Sequence, residues 1–130
     1  MTDFPNLVID DVGDLVSALE DELGGVSTRW WNKNKGVVAG NLKSLATAAI
    51  KTQAALIEGR IDQETAELAL AEQKASLQDV LNFTELMTLV LAQQLLDATF
   101  RLIGWVIYNK TGVNLAPDLV QPTAGTDISG

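Results

Sequence analysis

Apolar residues recur along this chain at spacings of three and four, with no sustained alternation of period two, so helices are predicted throughout. Val12, Leu15, Val16, Leu19 and Leu23 form a first stripe. It lies between Asp10-Asp11 and Gly24-Gly25, which predicts a short helix over 11–23. A second stripe, Val38, Leu42, Leu45, Ala49, Thr52 and Leu56, has the seam of a helix packed along a long antiparallel neighbour. Its helix starts between Ser27 and Lys35, and we place it over 34–58. Gly59-Arg60-Ile61-Asp62 follows as a turn, with glycine to leave one helix and Asp62 to cap the next. From Gln63 to Lys110 there is no proline, and Gly104 is the only glycine. A single helix over 63–110 is therefore predicted, about twice the length of its partner. Its stripe runs through Ala66, Leu70, Leu77, Val80, Met87, Leu91, Leu95, Ala98, Leu102 and Trp105. The segment 113–130, with Pro117, Pro122 and Gly125, is expected to be an extended or disordered tail. The expected fold is all-α: one helical domain over 1–112, built from a short helix and a long antiparallel hairpin, followed by the tail.

The long predicted helix changes character near Leu86. Before it, Glu64, Glu67, Gln78, Asn82 and Glu85 make an ordinary polar face. After it, Leu89, Val90, Leu91, Leu95, Leu96, Phe100, Leu102, Ile103, Trp105 and Val106 cover most of the circumference. The polar exceptions Gln93, Gln94, Asp97 and Arg101 fall within a stripe of about 100°. Asp97 and Arg101 are spaced to pair on the helix face. A shorter partner arm covers only the first half of such a helix, and a large uncovered apolar surface marks an interface. Three arrangements meet that demand. In one, a soluble bundle turns the polar stripe to water. In another, Leu86–Asn109 spans a bilayer with Trp105, Tyr108 and Lys110 at one boundary. In the third, several copies turn the stripe inward as a polar lumen.

Charge adds a segmental pattern. The 130 residues carry a formal charge of -8. Residues 1–22 hold seven acids and no base, residues 23–60 six bases and one acid, and residues 61–97 seven acids and Lys74. This order suits arms that pair, and the overall charge opposes binding to a nucleic-acid backbone. The basic segment opens with Arg29-Trp30-Trp31-Asn32-Lys33-Asn34-Lys35, which holds two of the three tryptophans. With a turn near residue 60, Trp30 lies level with residues 89–91, where the amphipathic half gives way to the apolar half. Trp30, Trp31, Arg29 and Lys33 therefore read as a boundary anchor, either over the core or at a water–lipid boundary.

Little chemistry fits. The chain has no histidine and no cysteine, which removes the commonest general base and thiolate or imidazole metal sites. Asp10-Asp11-Val12-Gly13-Asp14 has the spacing of a Mg²⁺-holding aspartate motif, yet it sits where a helix start favours acids. No cofactor or metal is expected. Gln53, Gln73, Gln93 and Gln94 lie near apolar faces, where they either fix helix register or stay partly exposed. Met1-Thr2-Asp3-Phe4-Pro5 lacks the basic start of a secretory signal, so synthesis in the cytoplasm is expected, with association to a membrane or virion afterwards.

The run Ala55-Leu56-Ile57-Glu58-Gly59-Arg60-Ile61-Asp62-Gln63-Glu64-Thr65-Ala66 resembles the turns of helical hairpins in small structural proteins of bacteria and their phages. The resemblance covers 36–85, brings no catalytic residues, and implies a structural or virion-associated assembly protein. The resulting expectation is a non-enzymatic protein that forms a homo-oligomeric helical bundle or tube. The alternative expectation is a membrane-associated or pore-forming protein that inserts residues 86–109. An adaptor that captures a partner through its tail is a third.

Overall fold

Asp11, Ser27, Asp62 and Thr88 each accept a hydrogen bond on a side-chain oxygen from the backbone N–H three residues on, at 2.8–3.2 Å. Each opens a helix, because these caps satisfy donors that a first turn leaves free. A computed structural model describes residues 4–121. Its helices are α1 (Val12–Val26), α2 (Thr28–Ile57), α3 (Gln63–Asn82) and α4 (Leu89–Thr111). A 3-10 turn, Phe4–Asn6, precedes them, and no strand occurs among the described residues. The all-α class expected from the periodicity is therefore the class observed.

Three boundaries differ from expectation. Helix α1 is not short: it has 15 residues and continues through Gly24-Gly25. Helix α2 starts at Thr28, inside the expected window from Ser27 to Lys35 but ahead of the placement at 34, because Ser27 ends α1 and caps α2 in one extended residue. The third difference reorganises the molecule. The helix predicted over 63–110 is two helices, separated by residues 83–88. The expected length ratio goes with it, since α2 has 30 residues and α3 has 20.

No proline or glycine makes this break. Thr84 Oγ1 donates to Leu81 O (2.7 Å) and closes the end of α3. Leu86 takes φ +65°, and Thr88 caps α4. The N-terminal turns of α2 supply further partners: Trp30 Nε1 donates to Thr84 Oγ1 (2.9 Å). Buried Asn34 donates to Glu85 O (2.9 Å) and accepts from Glu85 N (3.0 Å). Once turned, α4 packs against α1, α2, α3 and the N-terminal turn. Leu95, Leu96, Phe100, Leu102, Ile103, Val106 and Ile107 enter the core. At about 1.5–3 kcal/mol per large buried side chain, that gain exceeds the roughly 1–2 kcal/mol cost of a left-handed leucine and a few helix hydrogen bonds.

The turn between α2 and α3 matches its residues. Gly59 has φ +71°, a conformation glycine adopts without a Cβ penalty. Arg60 N donates to Ala55 O (2.9 Å) across the helix end. The backbone N–H of Thr65, with its hydroxyl second, holds the Asp62 carboxyl below its usual range.

The expected tail is also corrected where it is described. Residues 113–121 lie on the bundle, with Leu115 and Val120 buried. Asn114 Nδ2 donates to Val120 O (2.9 Å) and Asn114 Oδ1 accepts from Ala116 N (3.1 Å), which folds the segment on itself. It fits over Gly104, where a Cβ would stand 2.7 Å from Val120 Cγ2 and 3.3 Å from Ala116 Cβ. The rest of the expected tail, 122–130, lies outside the described residues.

Candidate assembly surface

The residues expected to form an oligomer or membrane interface are mostly inside the molecule. Leu95, Leu96, Phe100, Leu102, Ile103, Trp105 and Val106 are buried, and Leu91 is half-buried. Leu89 alone of that set stands out, 89% exposed. The reason is the break at 83–88: the apolar arc is covered by the chain's own α1, α2, α3 and 113–121. Helix α4 is long and apolar enough to cross a membrane, with a mean hydropathy of 1.2, yet 67% of that apolar window is buried within the molecule. Trp105 meets Tyr108 edge-on at 6.0 Å, and Lys110 pairs with Asp10 at 3.1 Å. Asn109 Nδ2 donates to Phe4 O and Leu7 O (2.7 and 2.8 Å), strapping the N-terminal segment to the same end.

The polar stripe faces outward as a stripe, but its internal pairing differs from expectation. Gln93 and Gln94 are exposed, and Asp97 and Arg101 are half-buried. Asp97 accepts from Gln93 Nε2 (2.8 Å) in place of the expected pair with Arg101. Of the other glutamines, Gln53 is buried and donates to Ile9 O (3.0 Å), so it ties down the N-terminal segment rather than setting helix register. Asp11, from the aspartate-rich run, caps α1.

The expected boundary anchor divides in two. Trp30 is buried, and Trp31 is half-buried beside it with ring centroids 6.2 Å apart. Arg29 and Lys33 are exposed. Trp30 and Asn34 hold the corner between α3 and α4 by the hydrogen bonds already described. Lys33 reaches Glu85 in that corner at 3.7 Å.

What this end of α2 holds up is an apolar prominence. Phe83 is 90% exposed, Leu86 47%, Leu89 89% and Val90 68%. Scattered exposed apolar residues are ordinary, but four within eight positions at one corner are not. Phe83 is not singled out by pattern, and Leu86 and Val90 enter the pattern only as the start and a member of the apolar arc. The available signal was the polar cluster Asn82, Thr84 and Thr88 at the change of character near Leu86, which contains cap and turn formers.

Residues of α3 (67–74), α4 (93–100) and the segment 115–119 come together around a depression. The result is a groove of about 530 Å³. Leu70, Phe100, Leu115 and Leu119 line it, together with the acids Glu67, Asp97 and Asp118 and one base, Lys74. Among the described residues no three acidic side chains converge as a metal site.

Comparison with known proteins adds no relative: no family model, no curated protein and no solved structure matches this chain.

Proposed function

We propose that this is a non-enzymatic structural protein that associates with copies of itself, and that the corner 83–90 is its principal contact. The observation that carries this reading is the exposure of Phe83, Leu86, Leu89 and Val90 on a corner hydrogen-bonded to Trp30 and Asn34. A flexible tip would lose side-chain and backbone entropy on docking, whereas a braced one has already lost it. Exposed phenylalanine and leucine supply the large desolvated anchors on which protein interfaces depend.

Sedimentation velocity at micromolar concentration tests the reading. The wild-type chain should sediment as an assembly. The double substitution Phe83→Asp and Leu89→Asp should shift it to monomer, with helicity nearly unchanged because both side chains face water within one chain. A wild-type chain that is monomeric throughout that range would overturn the proposal.

A second reading is docking to an anionic membrane surface, favoured by Arg29 and Lys33 standing exposed beside the apolar corner. It differs from the expectation of an inserted 86–109, since only the corner would enter the interface. Flotation with anionic vesicles separates the two readings, because a protein that only self-associates stays at the bottom of the gradient.

A further inference from the structure

We infer that the groove between α3, α4 and residues 113–121 is the receptor for the apolar corner of a second copy of this chain; the inference rests on the self-association proposed above. Three observations lead there. The groove has an apolar patch, Leu70, Phe100, Leu115 and Leu119, within a lining that also carries charge, and a volume of about 530 Å³. That is within the size range of sites that enclose a small ligand, and it accommodates Phe83 with a neighbouring aliphatic side chain. The corner supplies the occupant, with Phe83, Leu86, Leu89 and Val90 all exposed within eight positions.

Charge selects this pairing over others. Three acids against one base line the groove, while Arg29 and Lys33 flank the corner with Glu85 as the local acid. Seating a corner in a groove brings unlike charge together. Seating corner against corner would bring together two copies of the same flank, in which Arg29 and Lys33 outnumber Glu85, and so offers no such complementarity. The contact is between two different patches. Two copies that exchange corners close into a dimer, and a displaced repeat of the contact builds a ring or filament.

The absence of cysteine makes a clean test available. Asn82 is exposed next to Phe83, and Ala71 is exposed in the groove lining, so Asn82→Cys and Ala71→Cys add a small thiol to each surface while keeping Phe83, Leu70, Phe100, Leu115 and Leu119. Each full-length variant is oxidised alone and then in an equimolar mixture. The mixture should give about tenfold more disulfide-linked dimer than either variant alone. Adding Phe83→Asp to the Asn82→Cys chain should remove that product. Efficient linkage in Asn82→Cys alone would show corner against corner and overturn the inference. A wild-type chain that sediments as an assembly, with no linkage in the mixture, would sink the groove while leaving self-association standing. A monomeric wild type that floats with anionic vesicles would overturn both.

Discussion

Asn34 and Leu86 hold the decisive turn of this chain from opposite sides. Asn34 is 3% exposed and spends its amide on Trp30 O, Glu85 O and Glu85 N. Truncation to alanine would remove those hydrogen bonds, each worth about 0.5–1.5 kcal/mol net. We therefore expect Asn34→Ala to destabilise the fold by about 2 kcal/mol and to raise amide exchange in 83–88 before the rest of the molecule. Leu86 acts in the other direction. A leucine at φ +65° costs about 1–2 kcal/mol relative to a right-handed conformation. Glycine removes that cost and loses about 0.5–1 kcal/mol in chain entropy. Leu86→Gly should therefore be neutral or stabilising by up to about 1 kcal/mol in thermal melts, while self-association weakens. A clear loss of stability would mean that Leu86 is retained for packing rather than for contact.

At the scale of elements, α4 sits where it does because two short segments close over it. The N-terminal segment is tied by Asn109 and Gln53, and 113–121 rests on Gly104. Alanine at an exposed helical position would gain about 1 kcal/mol over glycine. At Gly104 it meets Val120, a fully buried and β-branched side chain that has no free rotamer to retreat into. Gly104→Ala should therefore cost about 1–3 kcal/mol and expose 113–121 to proteases. Pairing it with Val120→Ala should restore protection of the segment, though the double variant keeps a deficit from the lost valine packing. Equal protease resistance in Gly104→Ala and wild type would show that the segment is not seated on α4.

For the whole molecule, the covered arc of α4 predicts behaviour opposite to that of a bilayer span. Trp105 is 8% exposed within the bundle, so a native chain added to vesicles should keep Trp105 out of reach of brominated acyl chains. Strong quenching in a Trp31→Phe chain, whose two remaining tryptophans are both buried, would mean that the bundle opens and inserts. The acidic α1 and basic α2 lie side by side with their charged residues mostly at the surface. Such exposed charges contribute little stability each and act chiefly on which surfaces can meet.

Periodicity, caps and turn residues were sufficient to establish the all-α class, the stripe of α2, the turn at Gly59 and the start of α3 at Asp62. These depend on neighbours three or four positions apart, which any single sequence displays. The change of character near Leu86 was also legible, as was the need to cover the apolar arc that follows. How that arc is covered was not. Residues 83–88 contain no obligatory breaker, and their backbone groups are satisfied by Trp30 and Asn34, some fifty positions away. The same distance in sequence separates a continuous helix that needs partners from a broken one that buries itself. Tertiary structure alone decided between them, because the burial of α4 outweighs the local preference to continue the helix. It also moved the exposed surface from the face of α4 to the corner beside Arg29, Trp30 and Lys33.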